Sequence, residues 1–129
     1  MNGVRVFKAK WFVRFARKQK ISDDALCKAI NDAESGKIDA DLGACVIKQR
    51  IARPHEGKSG GYRTIIYYRR GNRAFFVFGF SKKDRENLSA NEEEIHKKSA
   101  GIVLGLSEEQ LKELIELGTY TEVICHAKE

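Results

Sequence analysis

A dense group of cationic side chains between positions 48 and 85 is the feature of this sequence with the clearest chemical meaning. The group contains eleven basic residues, Lys48, Arg50, Arg53, Lys58, Arg63, Arg69, Arg70, Arg73, Lys82, Lys83 and Arg85, with three tyrosines, Tyr62, Tyr67 and Tyr68, among them. Cations neutralise the phosphates of a nucleic acid, arginine binds a phosphate through two parallel hydrogen bonds, and aromatic rings stack on unpaired bases. The pattern therefore indicates a nucleic-acid-binding surface, with an ordinary solvated basic surface as the alternative.

The same residue types could also cleave RNA, because RNA supplies its own nucleophile, the 2′-hydroxyl. A protein then needs a group that takes the hydroxyl proton, cations that stabilise the charged phosphorane, and a donor for the leaving 5′-oxygen. Histidines usually transfer these protons, but the three here are scattered, with His55 in a loop, His96 on an acidic helix and His126 near the C-terminus. Crowded cations favour the loss of a proton, so a site of Lys, Arg and Tyr is a second option. Spacing alone does not decide between a cleaving and a binding surface.

Carboxylates that could hold a metal are better explained by local structure. Asp39 and Asp41 form an isolated pair typical of a turn. Residues 92–94 are three glutamates that fit a helix N-terminus, where the helix dipole favours acids. The sequence has no glycine-rich nucleotide loop and no serine nucleophile motif. We therefore expect neither a metal nor another cofactor.

Charge is unevenly distributed along this chain, whose 129 residues are the length of one ordinary domain. The net charge is +6, but residues 1–90 carry 20 Lys and Arg against 9 Asp and Glu, whereas residues 91–129 carry 4 against 9. We therefore expect a single domain over residues 1–129, with a basic core over 1–90 and an acidic extension over 91–129. A strongly basic core suits a polyanionic partner.

Signals for export and disulfide formation are not evident in the sequence. No apolar run reaches the ~20 residues that span a bilayer, and residues 1–10 lack the apolar stretch of a signal peptide. A cytoplasmic location is the expectation. The three cysteines agree, because an odd number without CxxC spacing argues against a disulfide framework. Cys27 and Cys45 are interpreted as small core residues, with Cys125 near the C-terminus.

Two helices are predicted near the N-terminus, after a short strand over residues 4–7. Residues 8–20 have apolar side chains at helical spacing. One side of this helix is basic, with Lys10, Arg14, Arg17 and Lys18. Ser22 is predicted to cap a second helix, which ends near Gly36.

An antiparallel sheet is predicted to follow. Residues 45–52 alternate, so that Lys48 and Arg50 share one face of a strand. A tight turn at Gly71 joins two further strands over residues 62–69 and 73–80. The second of these is apolar on both faces and is therefore expected at the centre of the sheet.

The C-terminal part is predicted to be helical from Ala90, with Ile95, Ile102 and Val103 as packing residues. A capping box opens a second short helix at Ser107, and a weak strand follows. The expected fold class is α+β, with two N-terminal helices packed on an antiparallel sheet in the order β-α-α-β-β-β, followed by a C-terminal helical extension.

Three runs carry a resemblance to a known family. They are Lys48-Gln-Arg-Ile-Ala-Arg53, Gly57-Lys-Ser-Gly-Gly-Tyr-Arg-Thr-Ile-Ile-Tyr-Tyr68 and Phe75-Phe-Val-Phe-Gly-Phe-Ser-Lys-Lys-Asp-Arg-Glu-Asn-Leu88. The chain resembles the RelE/ParE superfamily of bacterial toxins, and within it the HigB-like, RelE-type branch. The resemblance covers residues 4–88 in element order and residues 48–88 in motif.

The resemblance implies a RelE-like microbial ribonuclease fold and the toxin component of a type II toxin–antitoxin system. The implied activity is that of an mRNA interferase, a ribosome-dependent mRNA endonuclease that works by metal-independent 2′-hydroxyl transesterification. Its implied partners are mRNA on the ribosome, with contacts to 16S rRNA, and a cognate antitoxin of the helix-turn-helix type.

The resemblance also assigns roles to residues. Arg63 is expected on the scissile phosphate, Lys48 and Arg50 on the strand face toward the substrate, and Lys83 after the last strand; these four form the expected catalytic set. The residues expected to bind RNA or rRNA are Arg53, Lys58, Tyr62, Tyr67, Lys82 and Arg85.

One position departs from the pattern of the relatives. Several relatives have a tyrosine shortly after the last basic position, where residues 87–89 of this chain are Asn, Leu and Ser. Tyr62, Tyr67 and His55 are the alternatives for its role as a proton-transfer or stacking group.

Two other functions share this fold and this basic surface. The chain could be a non-catalytic nucleic-acid-binding or regulatory module, or a poison of gyrase like the ParE branch. The retained Lys and Arg set favours the ribonuclease branch. For the acidic extension, a solvated pair of helices capping the sheet is expected, and a screen over the basic residues or an antitoxin contact is the alternative.

Overall fold

A computed structural model describes residues 3–53 and 60–126 of the chain. Its elements, in chain order, are β1 (Arg5–Ala9), α1 (Lys10–Gln19), α2 (Asp23–Glu34), β2 (Ala40–Gly43), β3 (Val46–Ile51), β4 (Tyr62–Arg69), β5 (Arg73–Ser81), α3 (Ala90–Leu104), α4 (Glu108–Glu116) and β6 (Tyr120–Val123). The strands form one six-stranded sheet in the order β2-β3-β4-β5-β1-β6. The α+β class predicted from the sequence is confirmed.

The sheet is mixed, because β1 runs parallel to β5 while every other neighbouring pair is antiparallel. The predicted all-antiparallel β-α-α-β-β-β order is therefore wrong, since the sheet also gains β2 at one edge and β6 at the other. The direction of β1 relative to β5 is set by the path through α1, α2 and the β2–β5 meander. No local sequence pattern encodes that path.

Helices α1 and α2 cover one face of the sheet. Ser22 caps α2 by accepting a hydrogen bond from the backbone N–H of Ala25, as the sequence predicted. Phe12 and Ile30 are buried with strand residues of this face. Gln49 is also buried here, and its side-chain amide donates to the backbone carbonyl oxygens of Ala29 and Lys37, so its polar atoms are satisfied.

Helices α3 and α4 cover the opposite face. Ala100, Leu104 and Leu111 are buried there with strand residues such as Phe7 and Ile65. The predicted capping box at Ser107 is confirmed, because its hydroxyl accepts from the Gln110 N–H while the Gln110 side chain accepts from the Ser107 N–H.

Two of the three predictions for the residues that pack α3 onto the sheet are wrong. Ile95 and Ile102 are 54% and 72% exposed, and Val103 is only partly buried. Apolar residues are spread around the circumference of α3, so spacing alone did not single out the face that meets the sheet.

The cysteine predictions are confirmed only for Cys27, which is buried in the core. Cys27 of α2 forms a disulfide with Cys125, although 98 positions separate them. Cys45 is exposed, not part of the core, because it lies in the β2–β3 turn with a positive φ of 67°. The pairing of β6 with β1 brings the two bonded cysteines together, and an odd cysteine count gave no sign of it.

No helix within residues 3–53 and 60–126 has the length and apolar character needed to cross a membrane.

Candidate nucleic-acid interface

The central feature of the candidate site is a pair of arginines on adjacent strands. Arg50 of β3 and Arg63 of β4 are direct partners in the antiparallel register, so both side chains project from the same face of the sheet. Lys48 lies on this face two positions before Arg50, opposite Ile65. We call Lys48, Arg50 and Arg63 the basic face. This arrangement concentrates positive charge on one face of the sheet, as an anionic ligand requires.

An acid next to the basic face holds Arg50. Asp39 Oδ2 accepts a hydrogen bond from the Arg50 backbone N–H at 2.6 Å, and Asp39 Oδ1 lies 3.5 Å from Arg50 Nη2. Its partner in the predicted turn, Asp41, lies in β2, where its carboxylate accepts from the Gly43 N–H. Asp39 therefore contacts a residue of the basic face, whereas Asp41 binds the backbone at the end of β2.

Lys48 joins β3 to the segment after β5. Its Nζ donates to Asn87 Oδ1 at 2.9 Å, and the same oxygen accepts from the Leu88 N–H. Asn87 belongs to the segment where relatives are expected to have a tyrosine. The side chain at that position is thus in contact with the basic face, and it fixes the position of the ammonium group.

Arg85 lies over the aromatic end of β5. Its guanidinium carbon is 5.1 Å from the ring centroid of Phe78 and 5.4 Å from that of Phe80. Its Nη1 donates to Glu92 Oε1 at 2.8 Å. This hydrogen bond, together with one from the backbone of Ser89, lowers the pKa of Glu92 to about 2. Arg85 therefore links the loop after β5 to the first turn of α3.

A tyrosine of β4 and a histidine of α3 are in contact between the sheet and the helix. Tyr67 Oη lies 2.7 Å from His96 Nδ1, and the imidazole is 6.0 Å from the ring of Phe78. Burial raises the pKa of Tyr67 to about 12, and burial also lowers the pKa of His96, with a smaller contribution from Arg85. The imidazole is therefore neutral at neutral pH and able to accept a proton.

His96 is a residue of this region that was predicted only to lie on an acidic helix. It lies four positions before Ala100 and eight before Leu104, both buried against the sheet. Positions at this spacing share one side of a helix. That signal would have placed the imidazole over the sheet and not in solvent.

Tyr62 is not brought to the basic face. Adjacent residues of a strand point to opposite faces, so Tyr62 faces α1 while Arg63 faces α3. Its hydroxyl donates to Gln19 Oε1 at 3.0 Å and accepts from Arg53 Nε at 3.2 Å. The Arg53 guanidinium also lies 4.9 Å from the Tyr62 ring centroid. Tyr67, in contrast, is on the face of Arg63 but is only 4% exposed.

The remaining predicted cations form a second group at the end of the sheet. Arg53, Lys82 and Lys83 line an open cleft of about 300 Å³ together with Gly60 and Ser81. We call Arg53, Lys82 and Lys83 the strand-end cluster. Lys82 and Lys83 are exposed in the turn that follows β5. The predicted Lys58 and the alternative His55 lie outside the described residues.

Two arginines of the cationic group stabilise the fold instead. Arg73 is 7% exposed and donates to the carbonyl oxygen of Leu106 and to Glu108. Arg69 donates to the carbonyl oxygen of Leu104. Both hold the α3–α4 region on the sheet, so only part of the basic sequence pattern is available to a ligand.

The arrangement is suited to a phosphodiester. Cations of the basic face can neutralise a phosphate and stabilise additional negative charge on it. Within residues 3–53 and 60–126, no group of three or more His, Cys, Asp or Glu side chains is arranged to hold a metal ion.

A family model described as the RelE toxin of the RelE/RelB toxin–antitoxin system matches residues 4–123. The match extends beyond the residues 4–88 covered by the resemblance, and it includes α3, α4 and β6. Comparison with curated proteins and with solved structures gave no match.

Proposed function

Since the chain belongs to the RelE toxin family of toxin–antitoxin systems, we propose that it is a ribosome-dependent mRNA endonuclease that acts by metal-independent 2′-hydroxyl transesterification. Toxins of this family are generally endoribonucleases that act during translation and are neutralised by an antitoxin. The single observation that carries the proposal is the opposed pair Arg50 and Arg63 on the basic face. It supplies concentrated positive charge that a folded sheet would otherwise avoid.

In the proposed reaction, the 2′-oxygen of one nucleotide attacks the adjacent phosphorus as its proton leaves. The P–O5′ bond breaks, the departing 5′-oxygen takes up a proton, and the products are a 2′,3′-cyclic phosphate and a free 5′-hydroxyl. Arg63 contacts the scissile phosphate, and Arg50 and Lys48 share the negative charge that develops on its oxygens. Lys83, in the strand-end cluster, stabilises the leaving 5′-oxygen.

The contacts of Lys48 and Arg50 support a positioned site. Lys48 is held by the amide oxygen of Asn87, and Arg50 is held by Asp39. Groups that are already oriented lose little freedom when the substrate binds and need no reorganisation as charge develops. Arg85, which lies over β5, and Arg53 and Lys82, in the strand-end cluster, add positive charge around the basic face and bind phosphates of neighbouring nucleotides.

The proposal is tested by expressing the wild type and Arg63→Ala in bacteria and mapping the 5′ ends of cellular mRNA. New ends within translated codons are expected for the wild type and not for Arg63→Ala. Arg70→Ala is the matched control, because Arg70 is an exposed arginine in the turn at the other end of β4, and it should cut like the wild type. Cleavage of translated mRNA by Arg63→Ala at equal expression would refute the role of Arg63.

The same cultures separate the alternative functions. Intact mRNA with induced DNA-damage signalling would identify a gyrase poison. Intact mRNA with neither damage nor growth arrest would leave a binding module.

A further inference from the structure

Trp11 is the one tryptophan of the chain, and it lies in the first turn of α1, next to β5. The pairing of β1 with β5 ends at Lys8 and Phe76, whereas β5 continues to Ser81. Beside this continuation, the Trp11 ring contacts Phe15 at 5.3 Å and Phe78 at 4.7 Å between centroids. Trp11 nevertheless stays 42% exposed. A large aromatic ring is therefore held in place and presented to solvent.

A glycine allows this aromatic surface to form. A Cβ atom at Gly79 would lie 2.5 Å from Cε2 of Phe15, which is closer than real contacts permit. Without that atom, the Phe15 ring lies directly against β5, and Trp11 stacks on it with an angle of 15° between the rings. The bare backbone at Gly79 thus positions both rings.

Cations border the aromatic surface. A cleft of about 590 Å³ runs beside Trp11 and Phe15, with Arg14 and Lys18 on its rim. Helix α1 carries four basic residues and no acid, and among the described residues none of the four is in an ion pair: Lys10, Arg14, Arg17 and Lys18. Asp84 is the acid at the cleft, and its carboxylate accepts from the Ser81 hydroxyl. We call this the Trp11 cleft.

An aromatic floor with a cationic rim matches the two parts of a nucleotide. A base stacks on aromatic rings whatever its identity, and lysine or arginine neutralises its phosphate. The ring of Phe78 lies 4.7 Å from the Trp11 ring and 5.1 Å from the guanidinium of Arg85. Arg85 also lies over Phe80, the cross-strand partner of Arg63, and it therefore connects the Trp11 cleft to the basic face.

We propose that the Trp11 cleft binds an unpaired nucleotide of the RNA strand that crosses the basic face. The identity of that strand as substrate rests on the proposed endonuclease function. The binding itself does not, because it requires only single-stranded RNA and the side chains of α1 and β5.

Tryptophan emission reports on this cleft directly, since no other tryptophan contributes. We expect short oligoadenylate and oligouridylate RNAs to quench the emission of the full-length protein saturably, and added salt to weaken the binding. The double variant Arg14→Ala/Lys18→Ala should bind roughly tenfold more weakly, and its logarithmic salt dependence should fall by about two. Both residues are exposed, so their loss leaves the fold intact. Lys112→Ala, an exposed cation of α4, is the control and should bind like the wild type.

Other results would contradict the proposal that the Trp11 cleft binds RNA. If labelled RNA binds, by fluorescence anisotropy, while Trp11 emission stays constant, the RNA lies elsewhere. If neither signal changes, the chain has no such site. Quenching by the purified antitoxin but not by RNA would assign the surface to the antitoxin instead.

The variant Arg63→Ala separates this proposal from the endonuclease. Its Trp11 emission should still be quenched to the same final level, but at higher RNA concentration, because the cleft is intact while the strand loses its phosphate contact at Arg63. Quenching by RNA together with intact cellular mRNA would keep the cleft and refute the endonuclease. Cleavage of mRNA without quenching would support the endonuclease and refute RNA binding in the Trp11 cleft.

Discussion

Arg50 and Arg63 are direct cross-strand partners, so two guanidinium groups share one small area of the sheet. Two like charges in register do not stabilise a sheet, but they attract an anion. We predict that Arg63→Met abolishes mRNA cleavage while the free energy of unfolding stays within about 1 kcal/mol of the wild type. Urea denaturation followed by Trp11 emission measures the stability. If the variant were inactive because it was unfolded, the functional role of Arg63 would lose its support.

Asp39 offsets part of the charge on the basic face. We predict that Asp39→Asn tightens RNA binding, because Arg50 loses its anionic partner at 3.5 Å while the amide oxygen can still accept from the Arg50 N–H. The stability should fall by no more than about 1 kcal/mol, the usual range for a partly exposed ion pair. Anisotropy of labelled RNA gives the affinity. Glu113→Gln, an exposed acid of α4, is the control for a general change in net charge.

The burial of His96 predicts a dependence of stability on pH. Burial lowers the pKa of His96 below its usual value of 6.5. The unfolded chain therefore binds a proton more readily than the folded chain, so stability is full above pH 6.5 and decreases as the pH falls below it. Glu92 nearby opposes the shift, and Arg85 adds to it.

Between pH 7.5 and pH 5.5, a range of about one unit on either side of the ordinary histidine pKa, the melting temperature of the wild type should fall further than that of His96→Gln. Glu92 and Glu108 do not interfere, since their lowered pKa values act at lower pH. Equal losses in the two proteins would show that protonation of His96 is not opposed by the fold.

The disulfide between Cys27 and Cys125 closes a loop of 98 positions. In the chain-entropy model, a link of this span stabilises the folded protein by about 4.7 kcal/mol, and disulfides typically contribute about 2–4 kcal/mol. We predict that Cys125→Ser unfolds at lower urea than the oxidised wild type, and that a reducing agent brings the wild type to the same midpoint. Cys45→Ser should change neither curve, because Cys45 is exposed and unbonded. A wild type insensitive to reduction would contradict the prediction.

Features that depend on neighbouring residues could be predicted from the sequence. The cap at Ser22, the capping box at Ser107 and the alternation that places Lys48 beside Arg50 all follow from short-range geometry. The role expected for Arg63 came from the family resemblance, and its place on the basic face is given by the register of β3 with β4.

Features that depend on distant parts of the chain could not be predicted. The parallel pairing of β1 with β5, the place of the predicted C-terminal strand beside β1 and the Cys27–Cys125 bond are set by how the chain crosses the sheet. The same limit hid the partner of Arg50, since Asp39 reaches it through the pairing of β2 with β3. Charge patterns showed how many cations there are, but not that Arg73 is used to hold α4.

Strand β1 is the earliest strand in the chain, and yet it lies inside the sheet between β5 and β6. A nascent chain therefore carries this strand with both edges open until β5 and β6 have been synthesised. Unpaired apolar strands are templates for association with other chains, so this toxin is most vulnerable to aggregation while it is still being made. Early protection by a chaperone or by a waiting antitoxin would have its largest effect on yield during that interval.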